Sequence, residues 1–446
     1  MLPRTSPPNR RTFLTTTGAA LTLASPTLHR TSHAANDTLQ HAAIGVVGMG
    51  RNDLRNIASH AQVKVVALCD VDANNLAAAA KLHPEARTYR DWRVLLEKEG
   101  DKIDSVNISV PDHMHAPIAL DTLRRRKHVY CQKPLTHEIA EARDLAATAA
   151  KADVTTQMGN QIHSHMVYRL GAAWIRSGAI GKVKEVHSWV NAKYPRQARP
   201  TEADAVPAHL NWDYWLGVAP KRPYKNELYH AFNWRGWQDF GTGAMGDFGC
   251  HILDPVFMAL GIRQPTSVTC LDVEPAWRDD PARFTDSWPA WEKIAYTFPG
   301  TEFTAADELP LTWYDGGKKP PRELAPLPDD QELSRSGSLF VGEEGVMMLP
   351  HYAGPRLLPR EKFQARPKPD IAPEIDHYHT WIDHILAGKK TDCGFDYAGP
   401  LTETVLLGNV ANRFHGKKLD WDSGAMKVTN HDPANALLRR EWRSGW

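Results

Sequence analysis

Gly48-Met49-Gly50-Arg51-Asn52-Asp53 stands between a short apolar run and a helical pattern. Glycines in that setting permit a tight turn and let a pyrophosphate approach the N-terminus of the following helix. The segment opens as G-x-G-x-x-G but carries Asp53 where the third glycine usually stands, which implies a wider helix–strand approach, a solvent-facing turn or a helix cap. Asp70 lies twenty residues beyond Gly50 at the end of the next apolar run, where a carboxylate binds ribose hydroxyls and repels a 2′-phosphate. That spacing favours NAD over NADP; the plainer alternative is a strand-end helix cap. Lys133 ends another such run, at the place where open α/β sheets bind ligands. Asp247 and His251 are four residues apart, so on a helix they share a face, and histidine's ordinary pKa of about 6.5 suits proton transfer near neutrality. Pro255 leaves two geometries open, since Asp254 could instead cap a helix starting there, with Asp247 and His251 on the preceding turn. His113 and His115 form an H-x-H, yet no cysteine or carboxylate cluster has the spacing to complete a metal site, so no metal is expected.

Positioning these groups requires a sheet whose strands end together. Between residues 43 and 160, short apolar runs (43–48, 64–70, 105–110, 128–133 and 155–160) alternate with helical patterns such as 116–126 and 137–151. Such alternation predicts βαβ units and a doubly wound parallel sheet over 42–160. Beyond residue 160 the texture turns to strands (183–193, 293–303 and 339–349), with proline-rich, charged excursions at 318–330 and 359–373. Two helices, 374–387 and 401–414, close the chain. The expected fold class is therefore α/β followed by α+β, the second part (161–446) holding a large, mostly antiparallel open sheet, with C-terminal helices able to pack back on the first part.

Three segments carry a resemblance to the glucose-fructose oxidoreductase, inositol dehydrogenase and rhizopine-catabolism (Gfo/Idh/MocA) family. They are Val110-Pro111-Asp112-His113-Met114-His115, Lys127 to Leu135 with its Gln132-Lys133-Pro134, and Gly243 to Asp254 with Asp247 and His251. The resemblance covers most of residues 42–415 and implies a Rossmann domain followed by a substrate and oligomerisation domain. It implies that Lys133 hydrogen-bonds the reacting hydroxyl beside the nicotinamide, that His251 is the general base, and that Asp247 orients the imidazole and binds substrate. Gln132 replaces the family's glutamate, removing one negative charge beside the site or altering contacts to the cofactor on the other face of the strand. Pro111, His113 and His115 fall in the loop that the resemblance gives to the nicotinamide half. With Gly48, Met49, Gly50, Arg51, Asp70, Lys133 and Asn160 they complete the expected cofactor contacts. His163-Ser164-His165 follows the last strand of the first sheet and lies near the same crevice.

Trp212, Trp215, Trp234 and Trp237 crowd the stretch before Asp247. Tryptophan faces match the apolar faces of sugars, though such residues also build cores. Lys193, His230, Trp234 and Arg235, with Asp247 and His251, are the expected substrate contacts, and Arg196 is a further candidate.

With 446 residues, 42% of them hydrophobic, the chain can bury the cores of two or three domains. Asn9-Arg10-Arg11-Thr12-Phe13-Leu14, a short apolar run and Ser32-His33-Ala34 read as an export signal over residues 1–34, resembling the twin-arginine type. The run is too short and threonine-rich for a membrane anchor. Its loss removes Arg4, Arg10, Arg11 and Arg30 and no acid, taking the formal net charge from +1 to about −3, and nothing in that balance points to a nucleic-acid surface. Five cysteines without C-x-x-C spacing read as buried thiols. The expectation is an exported, periplasmic or extracellular, homodimeric or homotetrameric oxidoreductase acting on a sugar, sugar derivative or cyclitol with tightly held, recycled NAD. Redox-assisted glycoside cleavage through a keto-sugar and a non-catalytic sugar-binding protein are its rivals.

Overall fold

The computed structural model describes residues 38–194, 197–284 and 286–446; the expected export signal and Arg196 lie outside them. Six strands, β1 (Leu39–Ile44), β2 (Val63–Cys69), β3 (Arg87–Tyr89), β4 (Ser105–Ile108), β5 (His128–Gln132) and β6 (Thr156–Gly159), form a sheet of order β3-β2-β1-β4-β5-β6. Every pairing in it is parallel. Strand order reverses between β1 and β4, so the crevice of a doubly wound sheet opens at their carboxyl ends. The connecting helices are α1 (Met49–Ala58), α2 (Ala73–Leu82), α3 (Trp92–Glu99), α4 (His115–Arg124) and α5 (Ile139–Ala152). Asp72 and Asp91 start α2 and α3 by accepting hydrogen bonds from the otherwise unpaired first-turn N–H groups. The first strand ends at Ile44, not Gly48, because Gly45 takes a positive φ of 82° and turns the chain out of the sheet.

The second sheet has nine strands: β7 (Val183–Trp189), β8 (Ser267–Val273), β9 (Glu292–Pro299), β10 (Glu308–Tyr314), β11 (Gly337–Gly342), β12 (Val346–Pro350), β13 (Arg356–Leu358), β14 (Lys418–Asp422) and β15 (Lys427–Val428). Their order is β13-β12-β11-β7-β10-β9-β8-β14-β15, antiparallel except where β7 meets β10. The single run expected at 339–349 is a hairpin: Gly342 and Gly345 close a turn, the Gly342 N–H donating to the Gly345 carbonyl at 2.8 Å. Burial alternates along β9, as a half-covered sheet requires.

Helix α6 (Met166–Arg176) leads into this sheet, and the five-residue α7 (Trp212–Leu216) precedes the central helix α8 (Gly243–Leu260). Almost every α8 residue is buried, so it lies wedged between layers. It runs unbroken through Pro255 and ends on Gly261 in the left-handed region, which places Asp247 and His251 one turn apart on one helix. The two expected late helices are His377–Leu386 and Phe395–Ala411, but they do not close the chain, since β14, β15 and a short helix (Asp432–Asn435) follow. The second starts six residues before the expected 401 and contains Pro400, whose missing N–H frees the Asp396 carbonyl to accept from Arg263 at 2.6 Å. Tyr378, Trp381, Ile382 and Ile385 of the first pack on Leu39, Ile57 and Tyr130, binding the C-terminal region to the parallel sheet. All five cysteines are buried and unpaired.

Candidate functional site

The crevice between β1 and β4 widens into a cleft of about 510 Å³ lined by Gly48, Met49, Asp70, Pro111, Lys133, Trp234 and Arg235 among others. At one end the β1–α1 turn meets the requirements of a dinucleotide. A Cβ on Gly50 would stand 2.2 Å from the Gly45 carbonyl oxygen, so only glycine lets α1 approach the sheet this closely. Gly48 has a φ of 58° and open space where a side chain would be, and no side chain caps α1 there. Arg51 is exposed in the first turn of α1. Asp70 closes β2, its carboxylate accepting from the N–H groups of Val46 (3.1 Å) and Asp72 (2.9 Å). One oxygen is thus fixed by each neighbour while lone pairs remain for a ribose. Arg90 also lines this end, but its guanidinium donates to the carbonyls of Val71 and His209 at 2.5 and 2.7 Å. This end therefore fits NAD.

Asp53 corrects the sequence reading: it is neither solvent-facing nor a cap but fully buried. Its carboxylate accepts from Ser109 (2.7 Å), Gln132 Nε2 (2.8 Å) and Tyr378 (2.9 Å). Burial raises its pKa to about 6 against these donors. The two departures from the family pattern, Asp53 and Gln132, are thus partners in one hydrogen bond. An amide at 132 supplies the donor that a second carboxylate would lack.

At the other end Lys133 leaves β5 and donates to both the carboxylate and the main-chain carbonyl of Asp247, the latter at 2.9 Å. Tyr194 donates to the second Asp247 oxygen, and Arg235 Nε lies 3.4 Å from the first. Burial opposes charge on Asp247, but the cations of Lys133 and Arg235 outweigh it and hold the carboxyl below the usual carboxylate range. Arg235 in turn stacks over Trp234 and Phe232, its guanidinium carbon 4.2 and 4.4 Å from the ring centres. Asp112 completes the wall, bonded by Thr242 at 2.7 Å and raised to about 7 by its burial.

Asn160, not Asp247, orients the His251 ring. The Asn160 amide donates to the Cys250 carbonyl at 3.0 Å, which turns its Oδ1 toward His251 Nδ1 at 2.5 Å. That oxygen can only accept, so Nδ1 carries the proton and Nε2 keeps its lone pair. Burial, aided by Lys133 and His351, lowers the His251 pKa well below its ordinary value, keeping the ring neutral and able to take a proton.

Several expected contacts have other positions. His113 and His115 are not among the residues lining the cleft: both are buried, His113 between the carbonyls of Phe240 and Trp215, His115 between those of Pro134 (2.8 Å) and Val110 (2.9 Å), so they pin the loop after β4. Asn160 is committed to His251 and Cys250. Lys193 is exposed, because β7 ends at Trp189, and its neighbour Tyr194 reaches Asp247 instead. His230 lies 3.4 Å from Asp72, at the Asp70 end of the cleft and away from Asp247. Trp212, Trp215, Trp234 and Trp237 form a small core with Tyr229 and Phe240, and of these Trp215 and Trp234 also border the cleft. Asp112 and Tyr194 went unassigned in the sequence. Asp112 sits inside the Pro111–His113 motif, whereas nothing in the sequence distinguished Tyr194 from Lys193.

Fold and cleft together define a protein with a doubly wound dinucleotide-binding sheet and a second, mostly antiparallel sheet. Residues 39–160 match the Gfo/Idh/MocA profile described as an oxidoreductase family NAD-binding Rossmann fold, and residues 182–304 match that of its C-terminal alpha/beta domain. The two span more than half of the sequence, and the chain belongs to the Gfo/Idh/MocA oxidoreductase family. Inositol 2-dehydrogenase of Salmonella typhimurium is 31% identical over 153 residues, 34% of this chain and 45% of that protein. A glycosyl hydrolase family 109 protein of Shewanella woodyi is 25% identical over 33% of each chain. The chain thus spans less than half the length of the curated relatives it matches. Among solved structures, an NAD-binding protein from Listeria innocua superposes with a TM-score of 0.58 at 16% identity, over 89% of this chain and all of that one. Aldose-aldose oxidoreductase from Caulobacter crescentus gives 0.57 at 16%, over 86% and 100%. At such identities these structures share the fold.

Proposed function

We propose that this protein oxidises or reduces a hydroxyl of a sugar, sugar derivative or cyclitol, using NAD held in the β1/β4 cleft. The observation that carries the reading is the Lys133–Asp247 pair at the end of β5, one helical turn from a neutral, oriented His251. NAD, when bound, supplies the hydride acceptor or donor. Lys133 spends two of its donors on Asp247 and keeps a third for the substrate oxygen. His251 Nε2 takes the hydroxyl proton in oxidation and returns it in reduction. Asp247, held by Lys133, Tyr194 and Arg235, fixes the ammonium and offers its remaining lone pairs to neighbouring hydroxyls. The polyol class is supported by relatives named inositol 2-dehydrogenase, levoglucosan dehydrogenase and D-apiose dehydrogenase.

The amino-terminal arginine pair supports export, and an exported enzyme has no cytoplasmic NAD pool to draw on. The dinucleotide is therefore retained and recycled, and copies of the chain pair through the open face of the second sheet, where Thr269, Ala295, Thr297 and Thr312 are half-exposed. A second reading, redox-assisted glycoside cleavage, is favoured by the likeness to a glycosyl hydrolase family 109 protein. Native mass spectrometry of exported protein, followed by a polyol and glycoside panel, tests both. One dinucleotide per chain with net NADH formation is expected. Aglycone release without net redox change selects cleavage, and protein that carries no dinucleotide and turns over nothing overturns both.

A further inference from the structure

Tyr352 occupies a turn just beyond β12 with a φ of 62°. The Ala353 N–H donates to the Pro350 carbonyl at 3.3 Å, which makes Tyr352 the third residue of the turn, a position that with positive φ is ordinarily taken by glycine or asparagine. A side chain there costs of order 1–3 kcal/mol. Burial does not offset that cost, because Tyr352 remains 58% exposed. Burial thus gives little reason for an aromatic ring at this site, and strain of this kind concentrates where a ligand is bound.

The surroundings indicate which ligand. The Tyr352 ring lies 4.2 Å from the His351 ring, centre to centre, and meets the His165 ring edge-on at 6.0 Å. His351 is in turn 5.9 Å from the His251 ring, and a 2.7 Å hydrogen bond between its Nδ1 and the Tyr168 hydroxyl fixes its orientation. A row of rings thus leads from His251 to an exposed aromatic face, with imidazole hydrogen-bonding groups beside it. Met166, 44% exposed, follows His165 in the chain. An apolar face rimmed by imidazoles matches a pyranose or furanose ring, whose C–H face stacks on an aromatic while its hydroxyls reach polar neighbours.

We propose that Tyr352, with His165 and His351, forms a subsite for a second sugar ring, so that the substrate is a glycoside or oligosaccharide and not a free monosaccharide. This rests on the reading of the cleft as a sugar oxidoreductase site. Beyond that reading, it assigns the His163-Ser164-His165 segment a place in recognition through its last residue.

The test compares kcat/KM for a monosaccharide and for disaccharides containing it, in wild type, Tyr352→Ala and Tyr352→Asn. The disaccharide-to-monosaccharide ratio should fall about tenfold in both variants, through KM for the disaccharide, as expected for one lost aromatic contact. Asparagine accepts the left-handed backbone, so Tyr352→Asn should fold with an unchanged or raised Tm while losing the discrimination. Turnover with an unchanged ratio in both variants overturns the subsite alone. Absence of turnover by wild type on every sugar overturns the parent reading and the subsite with it.

Discussion

Gln132 Nε2 and Asp53 Oδ2 stand 2.8 Å apart in a buried site, and the identity of each residue constrains the other. Replacing the amide in Gln132→Glu would set two carboxyl groups against each other and remove a donor. The expected loss is roughly 1–3 kcal/mol of stability, read as a lower Tm. Adding Asp53→Asn returns a donor to the pair, so the double variant should recover most of the loss; strictly additive losses would contradict the coupling. Asp112 carries a second residue-scale prediction. Burial raises it to about 7, so it ionises near neutrality and adds negative charge to the cleft wall beside Asp247. An anion there favours a cationic nicotinamide over its neutral reduced form. The ratio of oxidised to reduced dinucleotide affinity should rise from about pH 6 to about pH 8, and the rise should be smaller in Asp112→Asn, where Asp53, raised to about 6, still ionises at the lower end of the range. His251, lowered well below its ordinary value, contributes no break in that range.

Close approach at the element scale depends on single glycines. In Gly50→Ala the new Cβ meets the Gly45 carbonyl, which is backbone and unable to move aside, so a loss of about 1–3 kcal/mol and weakened NAD binding are expected. Gly48→Ala meets no neighbouring atom, but at φ 58° and ψ −121° its backbone is one that only glycine adopts readily, so its Tm should fall as well; an unchanged Tm in either variant would contradict the argument for glycine at these positions. Most of the parallel sheet was legible because strands buried on both faces read as continuous apolar runs. Strand β3 was not, since Arg87-Thr88-Tyr89 is short, polar and at the edge. The β11–β12 hairpin read as one strand because both its strands are apolar and the Gly342-Glu343-Glu344-Gly345 turn between them is only four residues long. Helix α8 kept its register through a proline that, by local rules, should have divided it. Lys133, Asp247 and His251 were legible from strand-end placement and four-residue spacing. Tyr194 and the Asn160–His251 bond depend on contacts between distant segments, which no local pattern encodes.

Across the whole molecule, the parallel sheet supplies Lys133 and the dinucleotide turn, the second domain supplies Asp247 and His251 on α8, and the C-terminal region adds Tyr378 to the Asp53 network. The cleft thus has walls from both domains, and the chemistry requires them to be held together. Packing of the His377–Leu386 helix on Leu39, Ile57 and Tyr130 provides part of that hold. On the proposed function, hydride transfer in this cleft depends on Lys133 and His251, while the dinucleotide is held by other residues. Single-turnover reduction of bound NAD by an active polyol or glycoside, in wild type, Lys133→Met and His251→Asn, tests it most directly. Both variants should retain the dinucleotide and lose about 10²–10⁴-fold in rate; reduction at the wild-type rate in either variant would exclude that residue from the hydride-transfer step.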